Sequence, residues 1–304
     1  MDLGVLSGFT SSKAYSVNSS GQVTGFCETP VGQRRAFLYT NGRVQDLGML
    51  PGFSQSEGNR INDRGQICGD VFQSDVAVPP AHAFLYSQGV MKDLGTLGGQ
   101  FSSGRDINNL GDVVGVSELT DNKTYHPFLY HDGGMTDLRN TVLTSDAVGA
   151  ADSINDRGDI AGAGFIYVGG IMSLFNIDGW SINSQGEVVT QIYSGGGSAH
   201  AALYNAGTFT DLGLPAPNGQ EDTVGTATPW CINDSGDVVG QGSTFTDTHA
   251  LLYQSGKMMD LNTLIDPGAG WILQSAHGIN ASGQIVGYGL HGGQTHAFLL
   301  TPIS

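Results

Sequence analysis

The sequence lacks most of the features from which a function is commonly read. It contains no CxxC, HExxH, Walker, EF-hand or GxSxG motif, so we expect no cofactor and no bound metal. It has no apolar run long enough to cross a bilayer, and no signal peptide is recognisable before the repeats begin at residue 2. The sequence therefore predicts a chain that does not insert into a membrane.

Basic residues and cysteines are also scarce. Twelve Lys and Arg against 28 Asp and Glu give a net charge of −16 without a basic cluster, which argues against nucleic acid or an anionic membrane as a partner. The odd set of Cys27, Cys68 and Cys231 lies in or beside predicted strands. We expect free buried thiols, with a Cys27–Cys68 disulfide as the alternative.

What the sequence does contain is a repeat. The phrase Ile-Asn-x-x-Gly-x-x-x-Gly returns about every 45 residues, which indicates a repeat architecture. Its marker asparagine stands at Asn18, Asn62, Asn108, Asn155, Asn183, Asn233 and Asn280. Each repeat carries four strand signals: one ending at Ile-Asn, an alternating stretch such as Asp-Val-Val-Gly, the apolar run Ala-Phe-Leu-Tyr, and a stretch leading into Asp-Leu-Gly. The repeats fill residues 1–304 without a linker, so we expect a single domain.

Four short strands in a repeat of about 40–45 residues are typical of a propeller blade. The sequence thus predicts an all-β, seven-bladed β-propeller of four-stranded antiparallel blades. The last repeat has only three strand signals, whereas the N-terminal segment Asp2-Leu3-Gly4 resembles a fourth strand without the first three. We expect this N-terminal strand to join the C-terminal blade and close the ring, because closure removes an exposed sheet edge.

Three phrases resemble the HAF-type extracellular repeat of bacterial proteins. They are His82-Ala83-Phe84-Leu85-Tyr86, the Asp-Leu-Gly-Thr-Leu-Gly-Gly of 93–99 and the Ile-Asn-Asn-Leu-Gly-Asp-Val-Val-Gly of 107–115. The resemblance covers essentially the whole chain and implies a bacterial, secreted protein. It implies no reaction, because that family is defined by its repeat. The fourth repeat departs most, since it replaces the His-led phrase and lacks the loop between its second and third strands.

Residues that recur in every repeat are expected to serve the fold. A histidine recurs at His82, His126, His200, His249 and His296, and an aspartate recurs before Leu-Gly or a similar pair. We interpret the histidine as a hydrogen-bonding partner of a nearby loop or backbone group, and the aspartate as a cap for neighbouring backbone N–H groups.

The position three residues before each marker asparagine behaves differently. The residue just before it is small or proline, and the residue two positions after it is always Val or Ile. The position itself holds large or polar side chains that differ from repeat to repeat. They are Tyr15, Asn59, Arg105, Asp152, Trp180, Trp230 and His277. If the first strand is innermost, these side chains surround the mouth of the central channel, and Arg60 and Asp106 extend the site. Long, irregular connections, such as 71–81, 139–149 and 215–228, are expected on the same face.

Such a set suits one polar, saccharide-like ligand, because aromatic faces stack and polar groups orient. As a polysaccharide lyase, the protein would use Tyr15 or His277 for proton transfer and Arg105 for a uronate carboxylate. As a glycosidase, it would use Asp152 with Asp106. Asn59, Arg60, Asp106, Trp180 and Trp230 would bind the ligand. The alternatives are a non-catalytic ligand-binding or protein-binding propeller and a small-molecule cyclase or isomerase. We expect a monomer, and the sequence does not decide between turnover and binding.

Overall fold

The chain folds into β-strands joined by short turns. The computed structural model describes residues 1–73, 80–139, 149–193, 199–214, 225–243 and 247–303, with the side chains of 175–177 left out. The strands are β1 (Ser11–Val17), β2 (Val23–Glu28), β3 (Arg34–Thr40), β4 (Arg43–Asp46), β5 (Gln55–Ile61), β6 (Ile67–Phe72), β7 (Ala81–Ser87), β8 (Val90–Asp93), β9 (Gly98–Ile107), β10 (Val113–Leu119), β11 (Tyr125–His131), β12 (Gly134–Asp137), β13 (Ala151–Ile154), β14 (Ile160–Val168), β15 (Ile171–Asp178), β16 (Ser181–Ile182), β17 (Val188–Tyr193), β18 (Ala199–Asn205), β19 (Thr208–Gly213), β20 (Thr226–Ile232), β21 (Val238–Ser243), β22 (Thr248–Gln254), β23 (Lys257–Asp260), β24 (Trp271–Ile279), β25 (Ile285–His291) and β26 (Gln294–Leu300). The helices in the described ranges include the short 3-10 turns Leu261–Thr263 and Pro267–Ala269, and none could span a lipid bilayer.

The strands form antiparallel sheets in which chain neighbours are also spatial neighbours. Five sheets have four strands in sequential order: β1–β4, β5–β8, β9–β12, β16–β19 and β20–β23. The second and third of these touch through one parallel pair, Ala81 with Phe101. β24–β26 form a three-stranded sheet. The all-β expectation is confirmed, although the sheets are not hydrogen-bonded into one closed sheet within the described ranges.

The fourth repeat corrects the expectation of four strands in every blade. Its sheet contains three, β13–β15, because the second and third predicted strands run on as the single strand β14. The strand bends at Gly164, whose φ of 83° is a left-handed conformation that glycine adopts without strain. After the bend, Tyr167 pairs with Met172 as Tyr86 pairs with Met91 in the second repeat. The repeat is shorter than the others and has no residues with which to turn its third strand back along the second.

The marker asparagine explains the repeated phrase. Asn62 Oδ1 accepts hydrogen bonds from the N–H groups of Arg64 and Gln66, which fixes the turn that Gly65 completes at a φ of 73°. Its Nδ2 donates to the carbonyl oxygen of Asn108 in the next repeat. Every marker asparagine makes the same bond to the next one at 2.9–3.3 Å, and Asn280 returns to the carbonyl of Asn18. The side-chain amide supplies the acceptor and the donor of this arrangement on two separate atoms, Oδ1 and Nδ2.

The hydrophobic core lies between consecutive sheets. One core cluster combines Ala36 of β3 with Ile61, Ile67 and Phe84 of the following sheet. The phenylalanine of the Ala-Phe-Leu-Tyr run is at most 1% exposed wherever it occurs, as in Phe84. A single sheet cannot bury its own apolar faces, so each repeat needs the sheets of its neighbours to form a hydrophobic core.

The recurrent histidine and aspartate are partners of each other. Nδ1 of the histidine lies 2.6–2.9 Å from a carboxylate oxygen in five pairs: His82–Asp93, His126–Asp137, His200–Asp211, His249–Asp260 and His296–Asp2. The aspartate also accepts a bond from the N–H two residues later, as Asp93 does from Gly95. The predicted aspartate cap is therefore confirmed. The predicted loop or backbone partner of the histidine was wrong, because the carboxylate on the neighbouring strand is closer.

The two chain ends lie side by side. The backbone N–H of Leu3 donates to the carbonyl of Ala297, and Met1 exchanges two hydrogen bonds with Leu299. Asp2 forms an isolated antiparallel bridge with Phe298 of β26. The three cysteines are free thiols, with Cys27 and Cys68 buried, so the alternative disulfide is not formed.

Candidate functional site

The variable position of the repeat coincides with a β-bulge. In six sheets the pairing between first and second strand shifts by one residue at that position; in β5, for example, the shift lies between Gly58 and Arg60 and leaves Asn59 unpaired. The equivalent shifts leave out Tyr15, Arg105, Asp152, Trp230 and His277. A bulge re-aims the side chain of the extra residue away from its strand. The seventh member, Trp180, directly precedes the two-residue strand β16.

A glycine of the second strand accompanies each bulge. A Cβ on Gly69 would lie 2.0 Å from the carbonyl oxygen of Glu57, and the corresponding distance at Gly115 is 1.9 Å. No side chain fits there, which explains the glycine after Val-Val or Ile-Cys. The fifth repeat has Thr190 at this position, and its first strand β16 begins only at Ser181, after the variable residue Trp180. The glycine is therefore needed where the first strand continues through the bulge.

The bulged side chains enclose one cavity of about 430 Å³, within the range of small-molecule sites. The lining residues are Tyr15, Asn59, Arg60, Arg105, Asp152, Ala163, Asp178, Trp180, Trp230 and His277. Eight of the nine residues singled out from the sequence are among them. The ninth, Asp106, lies behind the wall, where its carboxylate accepts hydrogen bonds from Ser153 Oγ (2.7 Å) and the N–H of Ile154 (2.9 Å).

One half of the wall is aromatic. Trp180 and Trp230 have ring centroids 5.5 Å apart, and the indole of Trp230 stacks on His277 at 5.3 Å with an interplanar angle of 14°. His277 in turn contacts Tyr15 at 5.1 Å. These four residues belong to consecutive repeats, the fifth, sixth, seventh and first. The indole N–H of Trp230 is buried without a hydrogen-bond partner in the described part of the chain.

The other half of the wall is polar and comes from the second, third and fourth repeats. Arg105 forms an ion pair with Asp152, and the Nε atom of Arg60 lies 3.9 Å from Asp106 Oδ1. Asn59 Nδ2 donates to the carbonyl of Gly104 at 2.9 Å, which fixes its amide across the boundary between two sheets. The cations of the wall are thus each paired with a carboxylate.

Burial alters the acid–base behaviour of three lining residues. It lowers the pKa of His277 to about 3, with a further contribution from the positive charges of Arg60 and Lys13. It raises the pKa of Tyr15 above its ordinary range. It also raises the pKa of Asp152, against the opposing effect of Arg105. At neutral pH the imidazole and the phenol are therefore both uncharged.

Sequence reasoning missed two parts of the region. Asp178 and Ala163 line the cavity but belong to the shortened fourth repeat, where Ala163 stands at the position of the recurrent histidine and Asp178 in the link to the fifth repeat. A second cavity of about 250 Å³ lies between the marker turns, lined by the Ile-Asn pairs and the residue after each. The long connections 71–81, 139–149 and 215–228 were predicted to lie on this face. Most of each connection, namely 74–79, 140–148 and 215–224, lies outside the described residues.

Comparison with known proteins identifies the fold. No protein-family model and no curated protein sequence matches the chain. The propeller domain of the Trilobed protease from Pyrococcus furiosus is 10% identical with a TM-score of 0.57, over 96% of this chain and 95% of that one. A puromycin-hydrolyzing peptidase from Mycobacterium tuberculosis is 10% identical with a TM-score of 0.58, over 98% of this chain and 53% of that one. An acylaminoacyl peptidase from Pyrococcus horikoshii is 11% identical with a TM-score of 0.54, over 90% and 49%. The chain is a β-propeller, and at this identity the likeness extends to the fold alone.

Proposed function

We propose that the seven repeats are seven blades of a closed ring, and that the N-terminal segment completes the last blade. Two observations support this arrangement. Hydrogen bonds from the side-chain amides of the marker asparagines connect each of the seven repeats to the next, and that of Asn280 returns to the first repeat. The backbones of Met1 and Leu3 form hydrogen bonds with β26, which is the last strand of its three-stranded sheet and has one edge open for pairing. The cavity then lies at the mouth of the central channel.

In this ring the protein binds one polar, saccharide-like ligand in the cavity, as a monomer. The observation that carries the proposal is the division of the wall into an aromatic half and a polar half. A sugar ring has an apolar face and a hydroxyl edge, so it can stack on Trp180 or Trp230 while its edge meets Asn59 and the Arg105–Asp152 pair. The repeats differ at this position, which favours a single site over one site per blade.

The charges of the wall favour a neutral ligand. Arg60 and Arg105 are balanced by Asp152 and Asp178 among the lining residues. An acidic sugar would have to compete with Asp152 for the guanidinium of Arg105. The same pairing argues against β-elimination, which needs a free cation for the uronate carboxylate and a base. The raised pKa of Tyr15 and the lowered pKa of His277 make both poor proton acceptors at neutral pH.

Glycoside hydrolysis is the second candidate. Asp152 and Asp178 both line the cavity, and the charge of Asp178 adds to burial in raising the pKa of Asp152. Two carboxyl groups in one cavity, one of them with a raised pKa, are what a glycosidase uses for its acid and its second carboxylate. Asp152→Asn would abolish such turnover and leave a stacked ligand bound.

The repeat motifs support two further parts of the proposal. The His-led phrase, the Asp-Leu-Gly phrase and the Ile-Asn phrase together resemble the HAF-type bacterial repeat. We assign the chain to that family and expect it to act outside the cell, where polysaccharides are available.

The experiment is a titration of intrinsic tryptophan fluorescence with neutral and acidic oligosaccharides. The chain has three Trp, and Trp180 and Trp230 line the cavity whereas Trp271 does not. We expect a saturable change with a neutral sugar, and a loss of affinity of about two- to tenfold in Trp180→Phe or Trp230→Phe, since the smaller ring loses part of a stacking contact worth roughly 0.5–1.5 kcal/mol beyond burial of the ring. Trp271→Phe is the matched control and should bind normally.

Each outcome is decisive for part of the proposal. Equal affinity in all three variants would place binding elsewhere, and no response to any sugar by folded protein would refute the saccharide ligand. A preference for acidic sugars would contradict the charge argument. Chromatography of the mixture after several hours separates the candidates, because new, shorter products that disappear in Asp152→Asn would establish hydrolysis.

A further inference from the structure

Three metal-ligating side chains meet where the two ends of the chain lie together. Asp2 Oδ2 is 2.7 Å from Nδ1 of His296 and 3.2 Å from Nδ1 of His291. These three ligand atoms all lie within 4.8 Å of one another. None of the three residues lines the cavity described above, so this cluster is independent of the proposed ligand site.

The third ligand is an addition to the repeat pattern. The His296–Asp2 pair has the geometry of the other His–Asp pairs, such as His249–Asp260 at 2.6 Å. His291 has no counterpart in them: the residues four positions after the second-strand glycine are Thr29, Gln73 and Leu119 in the first three repeats. The fold forms its other His–Asp pairs without a second imidazole, so His291 is not needed for the pairing itself.

The surroundings hold the added imidazole in place. The His291 ring stacks on Trp271 at 4.6 Å with an interplanar angle of 6°, and Trp271 packs edge-on against the buried Phe298 at 6.0 Å. Asp2 Oδ1 accepts a hydrogen bond from the N–H of Gly4 at 2.8 Å, which orients the carboxylate. A fixed imidazole and a carboxylate held from behind are the features that support ligands around bound metals.

Two of the three separations between ligand atoms are close to those around a small divalent ion that prefers nitrogen. Zn²⁺ binds His nitrogen at about 2.0–2.1 Å and carboxylate oxygen at about 2.0–2.2 Å, so ligand atoms of a tetrahedral site lie roughly 3.3 Å apart. The Asp2–His291 separation already matches, and the Asp2–His296 separation would open by about half an ångström. The side chains are 29%, 37% and 19% exposed for Asp2, His291 and His296, which leaves room for water as the fourth ligand. Two imidazoles with one carboxylate select Zn²⁺, Cu²⁺ or Ni²⁺ over Ca²⁺ or Mg²⁺.

We propose that Asp2, His291 and His296 bind one Zn²⁺-type ion that fastens the N-terminal segment to the last sheet. The metal would replace two hydrogen bonds directed at one carboxylate oxygen with three coordinate bonds. Because it binds only when both ends of the chain are in place, it would stabilise the folded state against separation of the ends. The absence of a metal motif from the sequence follows from the distance between Asp2 and the two histidines along the chain.

The test is calorimetric titration of ZnCl₂ into tag-free protein that has been treated with EDTA and desalted. We expect one ion per chain, and an affinity at least about tenfold lower in His291→Gln, since even the loss of an outer-shell partner costs 10–100-fold. His291→Gln keeps the Asp2–His296 hydrogen bond and therefore the closure. His249→Gln is the matched control, because it breaks a His–Asp pair that has no third ligand; it should bind zinc as the wild type does.

A second measurement follows the closure itself. Zn²⁺ should raise the midpoint of thermal unfolding of the wild type and of His249→Gln equally, and at the same zinc concentration it should raise that of His291→Gln by less. Wild-type protein that binds no zinc would overturn the proposal. Equal zinc affinity in His291→Gln and the wild type would also overturn it, because the ion would then occupy another site.

Discussion

The two hydrogen-bonding functions of the marker asparagine predict what aspartate would do in its place. Asn62 Oδ1 accepts from the N–H groups of Arg64 and Gln66, while Nδ2 donates to the carbonyl of Asn108 and to Gln66 Oε1, both at 2.9 Å. Asn62→Asp keeps the acceptor and loses the donor. Because the Gln66 amide can rotate and offer its NH₂ group, the loss falls on the carbonyl of Asn108, which keeps only its bond from the N–H of Gly111 and now faces a carboxylate oxygen. We expect the free energy of unfolding to fall by about 1–3 kcal/mol.

The same substitution at Asn108 should be more damaging. Asn108 Nδ2 donates to the carboxylate of Asp112 at 3.1 Å and to the carbonyl of Asn155 at 3.3 Å. The carboxylate of Asp112 cannot rotate into a donor, so Asn108→Asp brings two carboxylates within hydrogen-bonding distance in a largely buried place. Two like charges 4 Å apart cost about 4 kcal/mol at an effective dielectric constant of 20. We therefore expect Asn108→Asp to lose at least about 2 kcal/mol more than Asn62→Asp.

Urea unfolding at neutral pH, followed by tryptophan fluorescence, measures the difference. With equal slopes, the variant midpoints convert directly into free energies. The double substitution Asn108→Asp with Asp112→Asn places an amide opposite the new carboxylate, so it should recover most of the extra loss. If Asn62→Asp and Asn108→Asp unfold at the same urea concentration, the partner at the fourth position of the turn does not matter and the reasoning fails.

Two further predictions concern the cavity wall. Gly69→Ala should lower stability by about 3 kcal/mol, because its Cβ would lie 2.0 Å from the carbonyl oxygen of Glu57. Thr190→Ala, at the equivalent position of the fifth repeat, which already carries a side chain, should cost less than half as much in the same thermal or urea measurement. The pKa of His277 is about 3 in the folded chain and about 6.5 when unfolded, so only the unfolded chain takes up a proton between these values. Stability should therefore fall as the pH drops below about 6.5, by up to about 1.4 kcal/mol per pH unit. His277→Phe should flatten this decline, and an unchanged acid profile would contradict the assignment.

The sequence predicted those features that depend on neighbouring residues in one repeat. Asn-x-x-Gly turns and alternating stretches specify hairpins locally, so the strand order followed from the pattern. The His–Asp pairs were missed although a constant spacing of 11 residues, as in His82–Asp93 and His126–Asp137, was visible. Each residue was interpreted alone, whereas antiparallel pairing of the third and fourth strands places them side by side. The merged strand β14 was also missed, because a short interval between markers does not show which strands are joined.

The bulge gives the physical reason why comparison between repeats found the cavity. Residues in register with the second strand are constrained by pairing and by the next sheet, so the fold decides their identity. A bulged residue leaves that register, and the glycine opposite it is the only constraint that the bulge imposes on the neighbouring strand. The side chain at the bulge can therefore change without cost to the fold and is free to serve a ligand. The next position along the strand also varies between repeats but stays in register, and there the outcome differs from repeat to repeat. Arg60 reaches the cavity from this position, whereas the carboxylate of Asp106 accepts a hydrogen bond from Ser153 of the next sheet. Variation alone therefore identifies the site residues reliably only at the bulge, where the backbone releases the side chain from the sheet.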